Sequence, residues 1–311
     1  EDSMRIDGYD APVDLVCRLT IGDDGVDVDF AGTSPISAHG VNVPLTYTQA
    51  YASFGVRCVI GNEVPNNAGS LGVVRVTAPE GSILNAPRPC AVSARHTVGQ
   101  MLPDVVLGAL SKAIPDRTPA EGASCLYLPV LIGGRSIGGG EDFVVNPFYT
   151  GGAGARPGKD GLSCTAFPSG VRNTPVEINE ASAPVIIWRK EYRIDSGGAG
   201  RLRGGLGQTL EFEHAEGRAF AVSKMFDRTK HPARGRDGGG AGAPGGARLA
   251  DGTPLKGMGR EIIPAGARLI VETPGGGGLG SAGDRSRAAV DADVRNGFVS
   301  ADAAQKIYRQ S

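Results

Sequence analysis

Residues 98–134, VGQMLPDVVLGALSKAIPDRTPAEGASCLYLPVLIGG, change hydrophobic period within forty positions, and that change decides the fold class. In the first part Val98, Met101, Leu102, Val105, Val106, Ala109, Leu110, Ala113 and Ile114 recur at helical spacing and predict one buried helical face. Pro103 suits only a first turn, because deeper in a helix it removes a hydrogen bond and clashes. Pro115 ends the pattern. From Cys125 the period is two, and CLYLPVLIGG with DFVVNPFY reads as a hairpin or two neighbouring strands about a glycine-rich bend.

Outward from this segment the same mixture holds. Residues 13–30 alternate on both sides of Gly22-Asp23-Asp24-Gly25 and predict two strands joined by a tight turn. In residues 44–60 Pro44 suits a first helical position, with Leu45, Thr48, Ala52 and Val59 on one face. VVRVTAP at 73–79, and residues 184–194, 208–216, 218–227 and 267–273, read as strands. Loops of Gly, Ala, Arg and Pro separate them, the longest at 228–247. Asp284 can cap a helix reaching Asn296-Gly297; Ser300 can cap another with Ala303, Ala304, Ile307 and Tyr308 inward. The expected class is α+β: a mixed first half, a β-rich second half with glycine-rich loops, and a short helical C-terminal tail. Boundaries are expected near residues 170 and 283, giving an α+β domain (1–170), a β-rich domain (171–283) and a helical tail (284–311).

Composition narrows the functional classes. The chain has 311 residues, with 32 Lys+Arg against 33 Asp+Glu, so no charge excess argues for nucleic acid or an anionic membrane. Its 49 Gly and 21 Pro are about twice the usual share, without a fixed period, and favour turns and close backbone approaches over long helices. Five scattered cysteines form no CxxC pair, and the four histidines form no HExxH, so neither a disulfide framework nor a zinc knuckle is indicated. Reduced thiols, no recognisable signal peptide and a longest apolar run of only Cys125–Ile132 give a cytoplasmic expectation. The opening EDSMRIDGYD lacks an initiator Met and enters strand-like sequence at once, as a piece of a larger protein would.

Two motifs suggest chemistry but sit in the wrong setting. Gly134-Arg135-Ser136-Ile137-Gly138 matches G-x-S-x-G, yet a strand follows it where a nucleophile elbow needs a helix. The run Gly275–Gly280 matches G-x-G-x-x-G between a strand and a helix, but no second parallel strand remains to complete a dinucleotide site. Both read as structural bends. Weaker candidates are single side chains. Arg95 and His96 precede the main helix, where a cation opposes the helix dipole, and His96 is an acid–base candidate. Glu177, with Glu180 three residues on, and Asp195 form an acidic group; Arg156, Arg201 and Arg203 lie among glycines that let an anion approach. His214 and Glu216 share a strand face but lack a third ligand, so no metal site is assigned.

Several longer strings are more specific. VDFAGTSPISAHGVNVP (28–44), residues 64–95, GGAGARPGKDGL (151–162), NTPVEINE (173–180), IDSGGAGRLRGGLGQ (194–208), ETPGGGGLG (272–280) and DVRNGFVSADAAQKIY (293–308) resemble the hydantoinase B/oxoprolinase family, in family order. The resemblance implies the B-type component of an ATP-dependent cyclic-amide hydrolase of hydantoinase or 5-oxoprolinase type. Alternatives are part of an ATP-dependent acetone or acetophenone carboxylase, or a non-catalytic scaffold module when isolated. It implies an A-type ATPase partner that holds ATP and Mg and phosphorylates the substrate oxygen. Family chains are nearly twice as long and carry their metal motifs in the N-terminal half, which nothing here resembles. The implied partners are therefore that half, the ATPase and a small-molecule substrate, with no nucleic acid and no membrane. The implied divalent metal belongs to the missing half, and the isolated chain is expected to be inactive.

Overall fold

A computed structural model describes residues 1–308, and the chain packs as two compact units, Glu1–Pro119 and Ala120–Ser311. The boundary expected near residue 170 falls inside unit 2, which also includes the helical tail.

Unit 1 holds a four-stranded sheet in the order β1 (Asp2–Ile6), β2 (Val13–Gly22), β3 (Gly25–Asp29) and β4 (Val74–Thr77). The first three strands run antiparallel, with the hairpin turning at Asp23-Asp24 as expected; β4 returns parallel to β3. Four helices accompany them: α1 (Leu45–Arg57), α2 (Ala68–Gly72), α3 (His96–Gly99) and α4 (Leu102–Leu110). Alternation along β2 places Val13, Leu15 and Cys17 in the core. Within residues 44–60 the helix is Leu45–Arg57, with Pro44 as its cap rather than its first residue and residues 58–60 outside it. The apolar helical face is divided at Pro103, as that residue predicts. Its first turn is α3, Pro103 opens α4, and α4 stops at Leu110, so Ala113 lies exposed in a turn. Every residue of α4 is buried, Asp104 included.

Unit 2 contains β5 (Leu126–Tyr127), β6 (Val130–Gly134), β7 (Gly139–Val145) and β8 (Tyr149–Thr150), then α5 (Val176–Ser182), β9 (Val185–Tyr192), β10 (Gln208–His214) and β11 (Phe220–Met225). There follow β12 (Gly246–Leu249), β13 (Pro254–Leu255), β14 (Met258–Ile263), β15 (Leu269–Glu272), α6 (Arg287–Arg295) and α7 (Ala301–Lys306). They form antiparallel sheets ordered β13-β12-β15-β10-β9 and β14-β11-β6-β7, with β5 and β8 as a separate pair. The G-x-S-x-G segment is the bend between β6 and β7. Ser286, not Asp284, caps α6 by accepting from Ala289 N–H; Ser300 caps α7 as expected. Val290, Val299, Ala304 and Tyr308 form a small core there, while Ile307 is exposed instead of inward.

The glycine-rich segments make a third kind of structure. Along residues 275–279, Gly275 N–H donates to Ala243 C=O (3.1 Å), Gly276 to Gly205 (3.0 Å) and Gly277 to Glu121 (2.8 Å). Gly278 then returns to the first neighbour at Gly240 (2.9 Å), and Leu279 to the second at Leu202 (2.9 Å). Residues 151–155 repeat the rule: Gly152 and Ala155 donate to Pro274 and Gly277, while Ala153 between them donates to Leu162. Donors three apart reach the same neighbour. That is the period of an extended three-residue-per-turn helix, which has no internal hydrogen bonds and must bond sideways. The segments pack as a bundle whose spacing excludes side chains: a Cβ on Gly275 would lie 1.7 Å from Ser196 O, and one on Gly278 2.1 Å from Ala199 O. The G-x-G-x-x-G run is the middle of this bundle.

Candidate functional site

Two buried charge clusters flank the bundle in unit 2. The first begins where β11 ends. Phe226 stacks on Tyr127 with centroids 4.1 Å apart, and Tyr127 Oη donates to Asp227 C=O at 2.9 Å. The chain then turns through Arg228, whose φ of +60° is uncommon for a non-glycine residue. The guanidinium of Arg228 is fully buried and donates to Glu121 Oε2 (3.2 Å) and to the carbonyls of Gly122 and Ala123. Arg234, half exposed, closes on the same carboxylate through its backbone N–H (2.9 Å) and Nε (2.6 Å). Burial would raise the pKa of Glu121, but the charges of Arg228 and Arg234 outweigh it and hold the carboxyl below its usual range. Glu121 therefore stays ionised and ties the loop at 226–236 to the edge of the bundle.

The second cluster joins four side chains from distant segments. Asp293 Oδ2 accepts from Arg203 Nε (3.3 Å) and from Arg285 Nε and Nη2 (3.1 and 2.7 Å). Arg285 also reaches both oxygens of Asp160 at 2.8 Å, and Asp160 Oδ1 accepts Arg203 N–H at 2.7 Å. Burial acts to raise the pKa of Asp160, and the bonds and charge of Arg285 reverse that, so it too is held low. The guanidinium of Arg203 lies over the Phe298 ring, 5.2 Å from its centroid. Two arginines and two aspartates satisfy one another here, and they fasten α6 to the bundle.

The residues singled out in the sequence do not converge. Arg203 enters the second cluster, but Arg156 closes its own turn by donating to Asp160 C=O (2.8 Å). Arg201 is exposed and lies alongside Gly280. Asp195 adopts φ +62° and accepts from Ser300 N–H (2.8 Å), which positions the start of α7. Glu177 is exposed on α5, and Glu180 accepts from Ile187 N–H (2.8 Å) at the edge of β9. Arg95 and His96 belong to unit 1, where the Arg95 guanidinium lies over Tyr47. Burial first, and the Arg95 charge second, depress the pKa of His96 and favour the neutral ring. Glu121, Arg228, Arg285 and Asp293 are absent from the sequence candidates; the only available signal was the density of cations in DRTKHPARGR.

Among the described residues no three His, Cys, Asp or Glu converge as ligands. His214 Nδ1 is occupied as acceptor for Glu216 N–H (3.1 Å), and Glu216 pairs with Arg218 (2.6 Å). Burial also pushes the Cys17 and Cys164 thiols up to about 12 and Cys58 to about 11, which leaves these three protonated at neutral pH. Among the described residues no helix is long and apolar enough to cross a membrane.

Comparison with known proteins places this architecture. The profile described as hydantoinase B/oxoprolinase matches residues 1–282. An uncharacterised protein of Methanocaldococcus jannaschii is 32% identical over 310 residues, covering 96% of this chain and 53% of that protein. A putative B-type subunit of a D-/L-hydantoinase from a Pseudomonas species is 29% identical, covering 97% of this chain and 54% of its own length. The crystal structure of the ATP-dependent caprolactamase from Pseudomonas jessenii superposes with a TM-score of 0.82 at 28% identity, over 95% of this chain and 53% of that one. The chain thus spans about half the length of these three relatives.

Proposed function

The chain belongs to the hydantoinase B/oxoprolinase family, and from that premise we propose that it is the C-terminal part of the B-type subunit of an ATP-dependent cyclic-amide hydrolase. The observation that carries this reading is the likeness to the caprolactamase over nearly the whole chain. The chemistry supports an ATP-coupled assembly. An amide carbonyl is a poor electrophile, and O-phosphorylation by an A-type ATPase partner, holding ATP and Mg, turns its oxygen into a leaving group. This chain's own contribution is mechanical: the bundle and its two charge clusters make a rigid wall for the substrate pocket and a surface against which the partner can dock.

The test is ADP release by the reconstituted complex of this chain, the remaining B-type polypeptide and the A-type ATPase. ADP release coupled to opening of 5-oxoproline, hydantoin or a lactam, and indifferent to bicarbonate, is the expected result. Turnover only with a ketone and bicarbonate would make the complex a carboxylase and overturn the hydrolase reading. Turnover by this chain and the ATPase alone would overturn its assignment as a partial subunit.

A further inference from the structure

Strand β4 is the outermost strand of the unit 1 sheet. Its parallel ladder with β3 uses alternate residues: Val26 N–H bonds Val73 C=O (2.9 Å) and Phe30 N–H bonds Thr77 C=O (3.0 Å). In a parallel pair that alternation turns the backbone N–H and C=O of Val74 and Val76 away from β3, toward the open edge. Among the described residues no further strand pairs with that edge.

The edge opens onto a groove. Between β4, α1 and the end of α2 lies a volume of about 720 Å³, lined in part by Ala50, Ser53, Arg57, Leu71, Val74 and Val76. Leu71 and neighbouring Val73 are 39% and 46% exposed, apolar surface at one end of the groove. Arg57 adds a cation. Its guanidinium donates to the carbonyls of Ile60 and Val64, its Nε is buried without an acceptor, and no carboxylate pairs with it among the described residues. Unpaired strand edges are normally covered, because they otherwise template association. An extended peptide supplies what this one lacks: main-chain bonds for Val74 and Val76, alternate apolar side chains for the groove, and a carboxylate for Arg57.

We propose that this groove receives an extended strand, apolar at alternate positions and carrying an acidic residue, from the rest of a B-type polypeptide, and that the strand pairs with β4 to complete the sheet. The relatives supply the source, since about half of each lies outside the match. The owner of the strand rests on the B-type reading; the edge pairing does not.

The experiment compares amide hydrogen exchange in this chain alone and in this chain co-expressed with the remaining B-type polypeptide carrying an affinity tag. Assembly should slow exchange at Val74 and Val76 by about tenfold or more, the equivalent of one net hydrogen bond each. The Arg75 amide, already turned toward β3, should not change. Val76→Pro removes an outward N–H, which an edge strand tolerates, together with the buried Val76 side chain; it should leave Arg75 protected and abolish co-purification, whereas Val76→Ala, which trims that side chain but keeps the N–H, should still co-purify. Arg57→Gln loosens the turn at Ile60–Val64 but should weaken co-purification without altering exchange at Val74, Arg75 and Val76 in the isolated chain. Failure of the polypeptides to co-purify, equal exchange at Val74 and Val76 in both preparations, or undiminished capture of the Val76→Pro variant would each overturn the proposal. None of these readouts needs turnover, so a complex that protects β4 yet opens no ring defeats only the hydrolase reading.

Discussion

Replacing Gly276 by alanine tests the glycine bundle directly. An added Cβ would sit 2.0 Å from Ala153 O, 2.3 Å from Ala153 C and 2.8 Å from Gly154 N, all backbone atoms that cannot rotate aside. Reaching even 3.0 Å requires the two segments to separate by an ångström. That movement strains the bonds from Gly276 N–H to Gly205 C=O (3.0 Å) and from Gly198 N–H to Gly276 C=O (2.8 Å). Overpacking by one methyl costs about 1–3 kcal/mol and each of the two buried bonds left unmade about as much again, so a loss of about 3–9 kcal/mol is expected. Against a typical domain stability of about 5–15 kcal/mol this is most of the margin. Gly246 is the control: it has ordinary φ and nothing within 4 Å of its added Cβ. Gly246→Ala should be neutral or stabilise by about 0.4–1 kcal/mol through the unfolded state. Urea unfolding of both variants can be followed by Trp188, the sole tryptophan, which lies on β9 of unit 2 against Arg268. A Gly276→Ala variant within about 1 kcal/mol of wild type, or no worse than Gly246→Ala, would refute the close-packed bundle.

Three further outcomes follow from the charge clusters and buried groups. Asp293→Asn leaves Arg203 and Arg285 buried with one counter-charge removed and should cost about 3–5 kcal/mol in urea unfolding; Asp302→Asn, which removes only the exposed α7 pair with Lys306 (2.8 Å), should cost about 0.5 kcal/mol or less. Burial, the leading cause, depresses the pKa of His214. Its stabilising contribution is therefore complete above the unfolded value of about 6.5 and fades as pH falls through the folded one, so His214→Gln should flatten the loss of stability between about pH 7 and 5. Cys17 should resist a thiol reagent in the native chain at pH 8 and label only after denaturation, as its burial and raised pKa require.

Much of the fold was legible. The hairpin in residues 13–30, the helical face of residues 98–110, and β9, β10, β11 and β15 follow from local alternation, which each segment carries in its own side chains. The Pro103 break was legible for the same reason, although α4 ends earlier than its apolar pattern because the chain turns at Ser111 before the pattern stops. The site was much less legible. Glu121 meets Arg228 across 107 positions and Asp160 meets Arg285 across 125, and no local pattern marks either pair. Arg156, Arg201 and Arg203 stand in similar glycine-rich surroundings, yet only Arg203 is buried against a carboxylate.

By itself the sequence determined the family, the α+β class, the strand and helix periods, and a glycine content too high for ordinary packing. Only the tertiary structure decided which glycines admit no side chain, which arginines are cross-links, and which strand edge is left open. The physical reason is distance along the chain. Periodicity records what a residue needs from its immediate neighbours, whereas close backbone approach and burial of charge are set by segments that meet only once the chain has folded.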